Sequence, residues 1–434
     1  MSRISIIQAK KKAKGEVELA GFAQNIRLMK GLAFLDLRDV SGNIQVVIEE
    51  KITSAFEIVN KLNLESVVRV KGELKEKPAK KNDDLAVKDY ELLCRELEVL
   101  SSAESNLPIP VYQKIDNEAN LDHRLNWRAL DLRRGEHANI FNVWTKLEEG
   151  FRGQLLSEGF IQIYTPCFMN TASETGADVF TVKYFDRMAY LSQSPQFYKQ
   201  MAMAAGMEKV FMVGTIFRAE ASYTTRHVTE FTGWDFEFSY LNSYQDIMAQ
   251  EERALIAAFM KVKEIMPEID VPRQNFPKMS FKEVKTKLKF NGLASEKEDD
   301  LSPEEEREIS RLIFEETGHD FIFVCDYPVT SRPFYHMRHQ DKPELTQSFD
   351  LLYRGLEITT GSQREHRLDI LEKQALEKGM KLDELSDYLN FFRYACPPHG
   401  GVGIGPARIV MKLLDLASVK EACFLPRDVK RLRP

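Results

Sequence analysis

Residues 217 to 238 read Phe217-Arg-Ala-Glu-Ala-Ser-Tyr-Thr-Thr-Arg-His-Val-Thr-Glu-Phe-Thr-Gly-Trp-Asp-Phe-Glu-Phe238. The pattern is a strand, a polar loop rich in threonine, and a second strand with charges on one face. Arg218 and Glu220 stand two apart, so on a strand their side chains share a face. Arg226 and His227 fall in the turn before the alternating run from Phe231 to Phe238. Two cations and an acid arranged in this way can grip a polyphosphate and a purine. A salt-bridged hairpin on a solvated sheet face has the same local pattern, so the remainder of the chain has to distinguish the two.

With 434 residues the chain is long enough for two or three domains, each with its own core. A hydrophobic share of 43% and a charged share of 29% are those of a soluble globular protein. No run approaches the roughly 18 to 20 apolar residues that span a membrane. The N-terminal Met1-Ser-Arg-Ile-Ser-Ile-Ile-Gln-Ala-Lys-Lys-Lys12 has neither the apolar core nor the cleavage site of a signal peptide. The expectation is a cytoplasmic protein with no membrane partner. Cys94, Cys167, Cys325, Cys396 and Cys423 are widely spaced and include no Cys-x-x-Cys pair. Buried free thiols are expected, rather than a zinc knuckle or a disulfide framework. The net charge of −6 is uneven: the first hundred residues hold 18 Lys and Arg against 16 Asp and Glu, the rest 42 against 50. A mildly basic end on an acidic body suits a protein that touches a polyanion at that end.

Short β-type runs at 17–22, 33–38, 44–48, 67–74 and 90–100 are separated by turn signals such as Ser41-Gly42-Asn43, with a helix expected at 53–62. Five strands with a helix after the third is the arrangement of the OB-fold, a small barrel that binds single-stranded nucleic acid. Asn106-Leu-Pro-Ile-Pro-Val then biases the backbone to extended form and marks a linker. Beyond Leu121 helices and strands alternate: Ile140, Val143, Trp144, Leu147 and Phe151 recur at helical spacing, and 159–166 reads as a strand ended by Pro166. Residues 294–309, rich in Glu and Asp, read as a solvated insertion. The expected fold is α+β: a barrel over 1–104, a linker over 105–130, and a larger domain over 131–434 with a small insertion at about 265–325.

Pro398-His-Gly-Gly-Val-Gly-Ile-Gly-Pro-Ala-Arg-Ile-Val-Met-Lys-Leu-Leu-Asp-Leu416 is a glycine-rich strand feeding a helix, with Arg408 at the helix start. The 217–238 segment resembles motif 2, and this one motif 3, of the class II aminoacyl-tRNA synthetases. The 140–166 helix and strand resemble motif 1, which implies a homodimer. The resemblance implies an antiparallel catalytic sheet flanked by helices and ATP as a substrate. It implies that Phe231 and Arg408 sandwich adenine, that Arg218 contacts the α-phosphate and the amino-acid carboxylate, and that Arg226 or His227 holds the γ-phosphate. Glu220, Val228, Glu357 and Gly405 complete the implied ATP site, with Arg218, Glu220 and Arg408 as its catalytic groups. The family usually carries an acid just before the motif 3 arginine; here Ala407 stands there, after Pro406.

Ser192-Gln-Ser-Pro-Gln-Phe-Tyr-Lys-Gln200, Gly361-Ser-Gln-Arg-Glu-His366 and Ser173-Glu-Thr-Gly-Ala-Asp178 closely resemble the aspartyl-tRNA synthetases. A carboxylate side chain is best held by a bidentate arginine plus a second cation. The resemblance implies that Glu174 holds the ammonium of L-aspartate, that Gln196, Lys199 and Thr360 line its pocket, and that Arg364 clasps the β-carboxylate. Asp350 and Glu357 supply hard oxygen ligands for Mg²⁺ with Thr360, provided a turn at Arg354-Gly355 folds them into a hairpin. In the barrel, Arg27, Phe34 and Gln45 match the anticodon-reading positions. The short stretch between motifs 2 and 3 resembles the archaeal-type and nondiscriminating branch. The expected partners are tRNA(Asp) and, in an alternative reading, tRNA(Asn) as well; the anticodon choice would fall to the loop at 75–90. A noncatalytic tRNA-binding relative is the remote alternative, motivated by Ala407.

Overall fold

The computed structural model describes residues 3–77, 89–112, 119–171, 179–293 and 297–433. They form two units, Met1–His137 and Ala138–Pro434.

In the first unit, α1 (Ile6–Lys12) starts at a capping box, Ser5 exchanging hydrogen bonds with Gln8. β1 (Gly15–Met29), β2 (Leu32–Asp39) and β3 (Gly42–Glu49) follow, then α2 (Thr53–Lys61), β4 (Val67–Glu76) and β5 (Tyr90–Ser101). The strands close a barrel in the order β1-β2-β3-β5-β4, with the helix after the third strand as expected. Two-residue alternation sends Ala33, Leu35, Leu37, Ile44, Val46 and Ile48 into the barrel core. Phe34 and Gln45 therefore lie on the outer face. The stretch expected as a linker is only partly irregular, because α3 (Leu121–Asn126) and α4 (Arg128–Asp131) form within it. The reason is a buried ion cluster: Asp131 takes Arg124 Nε at 2.9 Å, Arg128 Nη1 at 2.6 Å and His137 Nδ1 at 2.8 Å.

The second unit is built on α5 (Gly135–Ser157), β6 (Ile161–Gln162), a small sheet of β7 (Phe168–Met169), β8 (Thr181–Tyr184) and β9 (Arg187–Leu191), and α6 (Gln196–Ala204). Next come β10 (Lys209–Phe217), β11 (Glu230–Ser239), α7 (Tyr244–Lys263), β12 (Lys278–Ser280), α8 (Phe281–Phe290), α9 (Pro303–Thr317) and β13 (Phe321–Cys325). β14 (Ser348–Tyr353), β15 (Leu356–Gln363), α10 (Leu368–Glu377), α11 (Ser386–Arg393), β16 (His399–Ile404), α12 (Pro406–Leu413) and α13 (Val419–Ala422) complete it. The main sheet runs β12-β13-β14-β15-β16-β11-β10-β6, antiparallel except at its two ends. Ile140, Val143, Leu147 and Phe151 of α5 are buried at the expected spacing, and Phe151 stacks on Trp234 at 4.5 Å. Each such side chain removed from water stabilises the fold by about 1.5–3 kcal/mol.

Three expectations change. The strand expected over 159–166 shrinks to Ile161–Gln162, because only Val210 and Phe211 of β10 pair with it before the chain reaches Pro166, which has no N–H. The region at 265–325 is no separate appendage, since its β12 and β13 belong to the main sheet. Its acid-rich part is not simply solvated: Glu305 and Glu306 are buried, at 1% and 4% exposure.

Candidate active site

β10 ends at Phe217, so Arg218 and Glu220 sit at the mouth of the loop rather than on a strand. The ladder still runs one residue on, the Arg218 N–H donating to the Thr229 carbonyl at 2.9 Å. Arg218 Nη1 lies 3.8 Å from Glu220 Oε1, and its guanidinium stands 5.7 Å from the Phe231 ring centre. Along β11, alternation turns Trp234 and Phe236 into the core and leaves Phe231, Asp235 and Glu237 on the opposite face. In the loop, Thr224 Oγ1 and Ser222 Oγ reach His227 Nδ1 at 2.5 and 3.3 Å. Burial and then the charge of Arg408 hold this imidazole below its ordinary value, favouring the neutral ring.

β14 and β15 form the required hairpin, with Arg354 and Gly355 both at positive φ, 47° and 77°. Thr360 pairs with Asp350 and Glu357 with Leu352, and one extra residue lies between these pairs. Three residues apart on a regular strand, Glu357 and Thr360 would face opposite sides; the bulge turns both to one side. Thr360 Oγ1 donates to Asp350 Oδ1 at 2.8 Å and reaches Glu357 Oε1 at 3.4 Å. Burial, and then the charge of Asp350, raises the Glu357 carboxyl to about 7. β16 lies between β11 and β15 in the sheet. A Cβ at Gly401 would stand 2.0 Å from the Phe236 carbonyl oxygen, so this approach admits only glycine. At the start of α12, Arg408 Nη1 donates to the Glu357 carbonyl at 2.7 Å and lies 3.6 Å from its carboxylate. Glu357 thus orients this arginine from β15, while Ala407 beside it is buried.

The expected nucleotide residues Arg218, Glu220, Arg226, His227, Val228 and Phe231 line one cleft of about 420 Å³ together with Glu357, Gly405 and Arg408. Gln196, Lys199, Thr360 and Arg364 line the same cleft. Asp350 lies behind Thr360, and Glu174 falls outside the described residues. Sequence reasoning missed Asp235, Arg332 and His336, which also line the cleft. Asp235 was recoverable from its two-residue phase with Phe231. Arg332 and His336 come from the irregular segment between β13 and β14, where no periodicity points anywhere.

Beneath the cleft Lys199 Nζ binds Asp235 Oδ1 at 2.9 Å and the Val402 carbonyl at 2.8 Å, and stands 3.4 Å from Glu237 Oε2. Arg364 donates from Nε to Glu237 Oε1 at 2.9 Å, from Nη1 to Ser362 Oγ at 2.6 Å and His336 Nε2 at 3.0 Å, and from Nη2 to the Gly401 carbonyl at 2.9 Å. Burial pushes the Glu237 carboxyl up, but Arg364 and Lys199 outweigh it and hold the group below its usual range. Burial, followed by Arg364, keeps His336 well below its ordinary value; the neutral ring accepts from Arg364. Both cations are thus already paired with carboxylates. Arg332 Nη2 meets Asp350 Oδ2 at 2.6 Å and its guanidinium lies 3.8 Å from the Tyr327 ring centre.

On the barrel, Arg27 pairs with Phe34 across β1 and β2, its guanidinium 5.6 Å from the ring, and Gln45 pairs with Asp36. Phe34 and Asp36 share a face, so Arg27, Phe34 and Gln45 form one outer platform.

A closed five-stranded barrel, and an antiparallel sheet whose glycine-rich strand, bulged hairpin and charged loop surround one cleft, define a class. The family of class II tRNA synthetases (D, K and N) matches residues 120–429, and the OB-fold nucleic acid binding domain matches 17–100. The chain belongs to this class II family. Among its relatives, the aspartate–tRNA(Asp) ligase of Picrophilus torridus is 40% identical over 96% of this chain and 97% of its own length. The aspartate–tRNA(Asp/Asn) ligase of Aeropyrum pernix is 39% identical over 97% and 96%. Among solved structures, asparaginyl-tRNA synthetase from Pyrococcus horikoshii with asparaginyl-adenylate superposes with a TM-score of 0.90 at 32% identity, covering 100% of both chains. Aspartyl-tRNA synthetase from Entamoeba histolytica gives 0.86 at 29% identity, over 97% of this chain and 90% of its own. No helix among the described residues is long and apolar enough to cross a membrane.

Proposed function

We propose that this chain is an aspartate–tRNA ligase, which activates L-aspartate with ATP and transfers it to the 3′ end of tRNA(Asp). The observation that carries the reading is the single cleft in which Arg218, Phe231 and Arg408 meet the buried Lys199, Arg364, Asp235 and Glu237 cluster. The first group suits a nucleoside phosphate, the second an amino acid with a charged side chain. The α-carboxylate oxygen attacks the α-phosphorus in line; the new O–P bond forms as the bond to pyrophosphate breaks. Arg218 neutralises charge at the α-phosphate, Phe231 and Arg408 hold the adenine between them, and Arg226 with the neutral His227 meets the outer phosphates. The terminal ribose 3′-hydroxyl then attacks the anhydride carbonyl and releases AMP. No protein nucleophile is required.

Mg²⁺ belongs to this reading. Glu357 and Asp350 with the Thr360 hydroxyl supply oxygen donors on one side of the cleft, and the Glu357 carboxyl, raised first by burial and then by the charge of Asp350, is one that a cation would stabilise in its ionised form. Among the described residues no three His, Cys, Asp or Glu converge as a cage, which fits an ion shared with substrate phosphates; when bound it neutralises their charge. The platform of Arg27, Phe34 and Gln45 would stack and read anticodon bases. A cytoplasmic homodimer is part of the proposal; the hollow of about 620 Å³ on the motif 1 side, where Phe141, Trp144 and Phe424 stand beside Glu148, Glu149 and Arg152, offers a surface of mixed apolar and charged character for a second copy.

The test is aspartylation of tRNA(Asp) and tRNA(Asn) transcripts side by side, with ATP and Mg²⁺. Charging of tRNA(Asp) alone is the expected result. Charging of both would place the chain with relatives such as that of Aeropyrum pernix, and charging of neither would refute catalysis and restore a purely tRNA-binding role.

A further inference from the structure

Glu306 stands in the first turn of α9, within the segment that composition assigns to solvent, yet its side chain is buried. Its Oε1 and Oε2 lie 2.8 and 3.1 Å from Arg226 Nη1, and Oε2 also accepts the backbone N–H of Glu357 at 3.0 Å. One carboxylate therefore ties the polar loop between β10 and β11 to the bulge of β15. The turn that presents it is itself well anchored. Ser302 caps α9 in a capping box with Glu305, Pro303 occupies the first helical position, and Lys285 Nζ holds Glu305 Oε1 at 2.7 Å.

We infer that Glu306 is a positioning residue of the adenylation site. It holds the Arg226 guanidinium where the outer phosphates of a nucleoside triphosphate arrive, and it fixes the bulge that turns Glu357 into the cleft. This rests on the placement of Arg226 at the triphosphate in the proposed function. Arginine is long and rotamer-rich, so an unpinned Arg226 has to be ordered by the substrate itself, which weakens binding. Glu306 itself touches no residue of the amino-acid pocket, and a substitution that keeps an acceptor for the Glu357 N–H leaves the bulge in place, so the loss of its charge falls on Arg226.

The experiment measures the KM values for ATP and for aspartate in aspartate-dependent pyrophosphate exchange. It compares the full-length wild-type protein, Glu306→Gln, Arg226→Ala and the double variant. Glu306→Gln keeps an acceptor for the Glu357 N–H but loses the charge on Arg226. It is expected to raise the KM for ATP about tenfold, the size of one charge-assisted hydrogen bond, with the KM for aspartate unchanged within about twofold. The double variant is expected to be no worse than Arg226→Ala alone, because the two residues act as one unit. If Arg226→Ala raises the KM for ATP while Glu306→Gln leaves or lowers it, Glu306 does not position Arg226 and the inference falls alone. Additive losses, or equal changes in both KM values, mean a structural role and also overturn it. An unchanged KM for ATP in Arg226→Ala removes the placement of Arg226 at the triphosphate, and the inference with it. Should Glu306→Gln not fold, Glu306→Asp keeps the charge one methylene short; a raised KM for ATP supports the inference and an unchanged one refutes it.

Discussion

Glu251 on α7 is fully buried behind β15, and the Thr359 hydroxyl beside its carboxyl group stands outside ordinary hydrogen-bond geometry, a weak contact at most. Burial raises its carboxyl to about 8, with the charge of Asp350 adding to the effect and the Thr359 hydroxyl offsetting part of it. The sign follows from linkage. Below about pH 4.5 the carboxyl is protonated in both folded and unfolded chains, and the stability it lends is fully present. Between 4.5 and about 8 the unfolded chain has released its proton while the folded chain keeps it, so stability falls by about 1.4 kcal/mol per pH unit. Above that range the loss is complete, at most about 5 kcal/mol, and relaxation of the surroundings reduces it to about 2–3 kcal/mol.

Glu251→Gln removes the titration and keeps the shape. Urea unfolding of wild type and variant at pH 5.5 and 8.5, followed by the fluorescence of Trp144 and Trp234 in the adjoining core, isolates the term. The variant should gain about 2 kcal/mol on the wild type between the two pH values, whatever fixed cost the amide carries at both. A stability difference that does not change with pH would refute the reasoning, because it would mean that Glu251 is ionised in the folded protein throughout.

Two further outcomes are expected. Arg364→Leu should abolish aspartate-dependent pyrophosphate exchange and leave tRNA binding intact, while costing at most about 3–5 kcal/mol because buried Glu237 keeps only Lys199, 3.4 Å away, to compensate it; Arg364→Leu with Glu237→Leu should recover stability in urea melts but not exchange. Gly401→Ala should lower stability by about 2 kcal/mol or more and weaken activity, since the new Cβ forces β16 away from Phe236; an unchanged thermal midpoint would contradict the close packing of β16 on β11.

What was legible in the sequence followed period and punctuation. The five barrel strands and α2 emerged from alternation and turn residues, α5 from its helical spacing, and the β14–β15 hairpin from the need to bring Asp350 and Glu357 together at Arg354-Gly355. The cleft was legible as well, because its loop, hairpin and glycine-rich strand are each local patterns. What stayed hidden depends on register and on contacts between distant segments. No local signal sets the bulge that lets Glu357 and Thr360 face the same way, nor the arrival of Arg332 and His336 from an irregular segment. Composition misread 294–309 because a run of acids resembles a solvated face until Lys285 and Arg226 are seen to cover two of them.

The buried cluster also changes how amino-acid selection has to be argued. Lys199 and Arg364 face Asp235 and Glu237, so the cluster is neutral before any substrate arrives, and a bare excess of positive charge does not choose aspartate. Direction does. Among the described residues Gln196 Nε2, Arg332 Nε and His336 Nδ1 are buried donors without a hydrogen-bond partner and Asp235 Oδ2 is such an acceptor; their side chains line the cleft, but these atoms are out of reach of solvent, so a ligand meets them only after a side-chain shift. In the proposed function the ammonium group of the amino acid would then draw on Asp235, and its α-carboxylate on part of the donors. A side-chain carboxylate then pairs with the donors that remain, whereas a carboxamide brings an NH₂ group of its own and leaves one of them facing another donor. A buried donor left unpaired costs about 1–3 kcal/mol, which is about ten- to a hundredfold between aspartate and asparagine. Selection by an excess of donors requires a proton on His336 Nδ1 and an Arg364 pinned by Glu237, and the hydrogen bonds of Arg364 to His336 Nε2 and Glu237 Oε1 hold both conditions at once.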